Sequence, residues 1–162
     1  MIEFEDSDYY TGPPLTDEMV EAAERRLGVK LPAAYVALLR VRNGGQPVRH
    51  CHPTTFPTSW APDHIDIGAI LGIGGNRGID ADTYGTPSSI YMVREWGYPD
   101  VGVVICDTPS AGHDTVMLDY TSGGEPAVVY VDEYEPRVAR RIADSFAQFL
   151  DNLFECSEED AY

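Results

Sequence analysis

Apolar residues near the start of the chain recur at the three- and four-residue spacing of amphipathic helices. The first such run begins after Thr16, a good N-cap residue, and ends at Gly28, which suits the left-handed position after a helix. The second begins at Leu31-Pro32, because proline at the first helical position sacrifices no hydrogen bond, and ends at Asn43-Gly44-Gly45. The apolar positions are Val20, Ala23 and Leu27 in the first run and Tyr35, Leu38 and Leu39 in the second. This pattern predicts a helical hairpin.

Four later runs, at residues 65–73, 102–106, 115–120 and 127–132, are apolar in the manner of strands. The last three are separated by segments 107–114 and 121–126, whose Gly, Pro, Ser and Asp are typical of hairpin loops. We therefore expect these three strands to form an antiparallel meander.

The remaining segments are assigned from their prolines, glycines and apolar spacing. Residues 46–64 contain four prolines and predict an ordered loop, while the Gly- and Asp-rich residues 74–85 predict a mobile surface loop. A short helix is expected from Thr86-Pro87 to Trp96, and a long C-terminal helix from about residue 136 to 154. The apolar stripe of the long helix comprises Ala139, Ile142, Ala143, Phe146, Phe149, Leu150 and Leu153.

Together these elements predict an α+β fold, in which an antiparallel meander is flanked by the helical hairpin and the C-terminal helix. A length of 162 residues fits one domain over residues 1–162, with a core at about 15–153. The acidic ends, 1–12 and 155–162, are expected to fray.

Charge narrows the classes of partner. The chain has 27 acidic residues against 11 Lys and Arg, a formal net charge of −16, which argues against binding to nucleic acid or to an anionic membrane. A signal peptide begins with basic residues that are followed by an apolar run, whereas the first six residues of this chain are acidic. No signal peptide is therefore expected, and the predicted location is the cytoplasm. Cys51, Cys106 and Cys156 are widely spaced, which makes a disulfide framework improbable.

The acids are concentrated in one stretch of the chain. Between Arg94 and Arg137 there are nine acidic residues and no Lys or Arg, and aromatic residues are interleaved with them. Aromatic anchors beside charges that steer approach are typical of protein-binding surfaces, here for a basic partner. The alternative is that the aromatics are core residues and the acids merely solvated. The predicted partner-binding residues are Glu95, Trp96, Tyr98, Asp107, His113, Asp114, Asp119, Tyr120, Asp132 and Glu133.

Two groups of residues suggest metal chemistry, and each has a simpler interpretation. Asp107, His113 and Asp114 could hold a divalent ion, but a tight hairpin whose carboxylates bond loop amides is favoured. His50 and His52 with His64 resemble a metal cluster in composition, but dedicated zinc spacings are missing and a solvent-exposed loop is favoured.

Other catalytic and cofactor motifs are weak. The glycines of segment 72–78 lack the third glycine of a dinucleotide fingerprint, since Arg77 stands there, and a flexible turn is favoured. No credible nucleophile is apparent, and Cys106, which ends an apolar strand, is expected to be a buried small hydrophobe. We therefore predict no cofactor, no metal and no catalytic residue.

Several of these motifs, in this order, resemble the SUKH superfamily of bacterial immunity proteins and Smi/Knr-type regulators of yeast cell-wall synthesis. The N-terminal part of the resemblance lies in residues 28–45, with Leu-Pro-x-x-Tyr-x-x-Leu-Leu followed by Asn-Gly-Gly. The C-terminal part comprises Leu118-Asp119-Tyr120, residues 126–132 and an Ala-x-Ser-Phe-x-x-Phe-Leu run at 143–150. Residues 95–99 and 106–114 resemble one bacterial branch.

The resemblance implies a small antiparallel sheet flanked by helices, no established enzymatic activity and a protein partner. The leading hypothesis is an immunity protein that neutralises a cognate, basic toxin, for example of the nuclease type, by stoichiometric binding. The second is a regulatory or scaffold protein of the Smi/Knr type, and the third a metal-dependent hydrolase. The sequence does not indicate an oligomeric state.

Overall fold

A computed structural model describes residues 2–81, 88–110, 113–134 and 137–157. The predicted N-terminal hairpin is confirmed as α1 (Asp17–Leu27) and α2 (Ala33–Val41). Thr16 accepts a hydrogen bond from the amide of Met19, and Gly28 takes φ +70°, a conformation that glycine adopts without steric cost. The third helix is α3 (Ser89–Trp96), ended by Gly97 at φ +72°; its expected start at 86–87 lies outside the described residues.

The main sheet contains the predicted meander. Its five antiparallel strands, in order, are β3 (Ala69–Ile70), β4 (Gly102–Asp107), β5 (Asp114–Asp119), β6 (Ala127–Asp132) and β7 (Arg140–Ala143). A second sheet pairs β1 (Cys51–Pro53) with β2 (His64–Asp66). The α+β class predicted from sequence is therefore confirmed.

Two sequence assignments in the middle of the chain are wrong. Residues 46–64 are not only a loop, because β1 lies within them and pairs with β2. Residues 65–73 do not form one strand, since β2 and β3 belong to different sheets. Gly68 separates β2 from β3, and its amide donates to the carbonyl of Asp107 at 2.9 Å.

The prediction of one long C-terminal helix is also wrong. Residues 140–143 instead form strand β7 on the edge of the main sheet, and only α4 (Phe146–Asn152) is helical. Ser145 caps α4 by accepting from the amide of Gln148, whose side chain in turn accepts from the amide of Asp144 at 2.6 Å. The cap divides the apolar stripe between a strand and a helix.

The ends of the described chain are held in place rather than frayed. Phe4 forms a β-bridge with Pro47, and the Val48 amide donates to the Glu3 carbonyl at 2.9 Å. At the other end, Cys156 forms a disulfide with Cys51, against the expectation from cysteine spacing. Residues 158–162 of the predicted frayed tail lie outside the described residues.

The predicted surface loop at 74–85 is partly buried. Ile79 and Ala81 are buried, and the Ile79 amide donates to the Gly72 carbonyl at 2.8 Å, which folds this segment back onto the core. Residues 82–85 of the predicted loop lie outside the described residues.

Aromatic side chains join the helices to the sheets. Tyr35 of α2 meets Phe146 of α4 edge to face at 5.1 Å, and its hydroxyl donates to the Leu71 carbonyl at 2.5 Å. Phe149 packs on Phe146 and stacks on His52 of β1 at 4.9 Å. Helix α4 therefore links the small sheet to the main core.

Candidate protein-binding surface

Strand pairing brings two predicted site residues together at one end of the main sheet. Asp114 begins β5 and lies opposite Asp132, which ends β6. His113 and Glu133, the next residues outward, are exposed, and His113 Nδ1 lies 2.5 Å from Glu133 Oε2. The antiparallel register thus gathers four of the ten predicted residues.

Asp114 is the buried centre of this end of the sheet, with 1% of its surface exposed. One carboxylate oxygen accepts from Thr108 and, at 2.5 Å, from Ser110. The other accepts from Trp60 Nε1 at 2.6 Å, from the Tyr130 hydroxyl at 2.8 Å and from Ser59 at 3.2 Å. Five side-chain donors therefore hold the carboxylate and fix loop 57–60 over the sheet end.

Two concavities lie beside this buried carboxylate, with volumes of about 230 and 450 Å³. They share Ser59, Asp132 and Tyr134, so these three residues border both concavities. Tyr134 is 65% exposed and Val138 on its border is 52% exposed, although large apolar side chains usually gain from burial. We call this region the Tyr134 surface; it comprises Ser59, Trp60, His113, Asp132, Glu133, Tyr134 and Val138.

Arginines of the last strand region modify the charge of this surface. Arg137 lies over the Tyr98 ring at 4.4 Å and donates to the Asp132 carbonyl at 3.3 Å, while Arg140 lies over Phe56 at 5.1 Å. The acidic stretch of the sequence is therefore bordered in space by basic side chains. A helix over residues 140–143, as the sequence predicts, would not bring Arg140 beside the acidic strand; strand β7 does.

Three of the ten predicted contact residues are buried, which corrects the expectation that they form an exposed face. Tyr98 is 3% exposed, Asp107 9% and Asp114 1%, so these side chains are buried in the interior and do not form a contact surface. The Tyr10 hydroxyl donates to Asp107 Oδ2 at 2.6 Å. Burial raises the pKa of the Asp107 carboxyl, and the contacts with Tyr10, the Thr108 amide and Arg77 only partly oppose that shift.

Four other predicted residues lie away from the Tyr134 surface. Asp119 and Tyr120 are at the opposite end of β5, where the Tyr120 hydroxyl donates to the Lys30 carbonyl at 2.7 Å. Glu95 and Trp96 end α3; Glu95 pairs with Arg94 at 3.5 Å, and Trp96 meets Tyr91 edge to face at 5.3 Å. Spacing along the chain could not show that the ten residues divide in this way.

The three histidines of segment 50–64 do not form a shared metal cluster, and the predicted solvent-exposed loop is wrong for His52 and His64, whereas His50 lies before β1 with its side chain 38% exposed. His52 and His64 are buried in the small sheet. Burial lowers the pKa of His52 to about 4, since the charged imidazolium is disfavoured beside Phe149. His64 Nδ1 lies 2.9 Å from Asp63, and His50 Nδ1 lies 2.6 Å from Asp66.

Among the described residues, one group of His, Cys and acidic side chains has ligand atoms close enough for a metal ion. That group is His50, Cys51 and Cys156, and it includes neither His113 nor Asp107. The hairpin interpretation of 107–114 fits better, although Asp114 bonds hydroxyls and an indole rather than loop amides.

The glycine-rich segment packs closely against the turn that follows α2. A side chain at Gly72 would meet the Asn43 carbonyl at 2.3 Å. Asn43 Oδ1 accepts from the Ile73 amide, and its Nδ2 donates to the carbonyls of Ile73 and Pro13. The glycine therefore permits a tight backbone contact. Cys106 is fully buried, as predicted, and burial raises the pKa of its thiol.

Sequence reasoning missed the contribution of loop 57–60. Ser59 and Trp60 lie in the proline-rich segment and reach Asp114 across more than fifty residues. The available signal was a tryptophan in a polar loop, because a large ring with one donor is usually anchored by an acceptor. Tyr134 lies within the acidic stretch between Arg94 and Arg137, but its exposure could not be inferred from sequence.

Comparison with protein-family models identifies the family to which this fold belongs. The model of the SMI1/KNR4 family (SUKH-1) matches residues 14–152, which is most of the chain. The chain belongs to the SMI1/KNR4 family. A comparison with curated proteins gives no significant match.

The residues that suggested the SMI1/KNR4 resemblance have structural roles. Tyr35 and Asn43 hold segment 71–73 by hydrogen bonds, and Phe146 and Phe149 form the aromatic face of α4. Family membership therefore accounts for the fold, and this family is generally non-catalytic and binds partner proteins. Among the described residues, no helix is long and apolar enough to cross a membrane.

Proposed function

We propose that the chain is a non-catalytic, protein-binding immunity protein that neutralises a cognate basic toxin by stoichiometric binding at the Tyr134 surface. The observation that carries this proposal is the exposed Tyr134 ring, which borders two neighbouring concavities, with Asp132 and Glu133 next to it. Aromatic side chains at the centre of an interface contribute most of the binding free energy, so Tyr134 is the natural anchor.

The support beneath this surface favours recognition without rearrangement. Loop 57–60 is fixed to the buried Asp114 carboxylate through Ser59 and Trp60. A surface held by buried hydrogen bonds loses little conformational entropy when a partner binds.

Charge supports a basic partner. The net charge of −16 gives a field that speeds the approach of a cationic protein, and Asp132 and Glu133 provide local acids at the anchor. His113 already contacts Glu133, so a partner arginine would compete for that carboxylate. A nuclease-type toxin, which must attract nucleic acid, has the required basic surface.

The test combines capture with a growth assay. Tagged wild-type chain is used to capture proteins from its native host, and the captured basic product of a neighbouring gene is then expressed in a naive host. The proposal predicts that this product arrests growth and that co-expression of the chain restores it. A captured partner that is harmless would instead favour the regulatory function of Smi/Knr-type relatives.

A matched pair of variants links the activity to the surface. Tyr134→Ala is expected to abolish rescue, whereas Tyr9→Ala, which removes another highly exposed tyrosine, leaves it intact. Equal rescue by both variants would exclude the Tyr134 surface as the binding site.

A further inference from the structure

Two cysteines and a histidine meet where the C-terminal segment crosses the small sheet. Cys51 and Phe154 exchange backbone hydrogen bonds of 3.1 and 2.9 Å, which place residues 154–156 alongside β1. Cys156 forms a disulfide with Cys51 across a Cα–Cα distance of 5.6 Å. These backbone contacts bring the two sulfurs together across 105 positions of sequence.

The same place holds an imidazole and a carboxylate. His50 Nδ1 lies 3.4 Å from Cys156 Sγ and 2.6 Å from Asp66 Oδ1, and Asp66 is the register partner of Cys51. The ligand atoms of His50, Cys51 and Cys156 all lie within 4.8 Å of one another. Cys51 is buried, but the side chains of His50 and Asp66 are 38% and 22% exposed, which leaves a route from solvent.

We propose that Cys51, Cys156 and His50 supply three ligands of a zinc-type metal site when the two thiols are reduced, with Asp66 beside His50 outside this set. Two thiolates and one imidazole suit a four-coordinate Zn²⁺ ion whose fourth ligand is water, whereas Mg²⁺ and Ca²⁺ require oxygen ligands. Cysteines brought together in a reducing compartment serve metal binding more often than disulfide formation.

The disulfide and the metal are two exclusive states of this site. Around a tetrahedral Zn²⁺ the two sulfurs lie about 3.8 Å apart, so they cannot be bonded to each other. Oxidation by a low-molecular-weight disulfide, RSSR, converts the metal-binding state into the disulfide state. One cysteine thiolate attacks RSSR and releases RS⁻, and the second attacks the resulting mixed disulfide and releases another RS⁻. Two electrons thus pass from the cysteine sulfurs to RSSR, the Cys51–Cys156 bond forms, and Zn²⁺ leaves.

In both states the C-terminal segment stays fastened to β1. Leu153 and Glu155 on this segment line a groove of about 730 Å³ that also includes Leu38 of α2 and Leu150 of α4. The metal and the disulfide therefore hold one wall of that groove under reducing and oxidising conditions respectively.

The experiment measures zinc in the full chain. Protein reduced with a phosphine, stripped with chelator and re-equilibrated with Zn²⁺ is expected to retain about one ion per chain after gel filtration, with Co²⁺ giving thiolate-to-metal charge-transfer absorption. Protein oxidised with RSSR is expected to retain none. Mg²⁺ in place of Zn²⁺ is not expected to be retained in either state.

Matched variants locate the ion. Cys156→Ser and His50→Ala are expected to lower zinc affinity by at least about tenfold, and Asp66→Asn is expected to lower it less. His113→Ala and Asp63→Asn, which remove an exposed imidazole and an exposed carboxylate elsewhere, should retain the ion. His50 is at the surface, so its variant remains informative even if Cys156→Ser misfolds. Reduced wild-type chain without zinc, or zinc binding unchanged in His50→Ala, would overturn the proposal.

Discussion

Asp107 and Asp114 lie at opposite ends of the β4–β5 hairpin loop, and the protein stabilises them in different ways. Asp114 is surrounded by five side-chain donors, whereas Asp107 accepts from the Tyr10 hydroxyl and its pKa is raised by burial despite the nearby Thr108 amide and Arg77. Residue type and hairpin position predicted that both would bond within a loop. They could not predict the donors, because Tyr10 and Trp60 come from segments that only the folded chain brings there.

Replacing Asp114 by alanine should destabilise the fold strongly. The change leaves five donors around a buried space without their acceptor, and we expect a loss of about 3 kcal/mol or more in the free energy of unfolding. Urea unfolding followed by circular dichroism measures it. Asp119→Ala, which removes a carboxylate that accepts from the amide and hydroxyl of Thr121 in an exposed turn, should cost less than about 1 kcal/mol. Similar losses in both variants would contradict the central role of Asp114.

Replacing Asp107 by asparagine should stabilise the protein at pH 7. Because the pKa of this carboxyl is higher in the folded chain than in the unfolded one, the folded state binds more protons, and stability falls as the pH rises through the unfolded pKa towards the folded one. Asparagine is neutral and can still accept from Tyr10, so the substitution removes the cost of burying an ionised carboxylate.

The pH dependence provides the check. The advantage of Asp107→Asn in thermal unfolding should be largest at pH 7 and should vanish below about pH 4, where the unfolded carboxyl is also protonated. Asp100→Asn, at an exposed position, should show no such advantage. An Asp107→Asn advantage that grows towards low pH would refute the assignment.

At the scale of elements, the sequence predicted helices and strands correctly where a single element occupies the whole patterned segment. Thr16 and Gly28 mark the ends of α1, and the polar segments between the meander strands mark their turns. The C-terminal stripe failed because β7 and α4 share one apolar sequence, and helical spacing continues by coincidence across their junction. The Ser145–Gln148 pair was a local sign of that junction, since its spacing is that of a capping box.

The start of α4 can be tested through its cap. Ser145→Ala removes the acceptor of the Gln148 amide and should lower the free energy of unfolding by about 1 kcal/mol. Ser122→Ala, in the exposed β5–β6 turn, serves as the control in the same urea titration. If a continuous helix ran through residue 145, alanine there would instead stabilise the protein.

At the scale of the whole molecule, the fold changes the meaning of the acidic stretch. Along the sequence nine acids appear without a base, but β7 places Arg140 and Arg141 next to β6. The binding proposal therefore rests on a local surface, with an exposed ring and two acids, and the net charge contributes to the rate of approach. No composition argument could separate these two contributions, because the separation depends on which strand pairs with β6.

Binding of the captured basic partner to wild-type and variant chains tests the central claim most directly. By calorimetry at physiological salt, Tyr134→Ala is expected to raise the dissociation constant at least about tenfold, while that of Tyr9→Ala stays within about twofold of wild type. Undiminished affinity of Tyr134→Ala for the partner would contradict the claim that this protein acts through the Tyr134 surface.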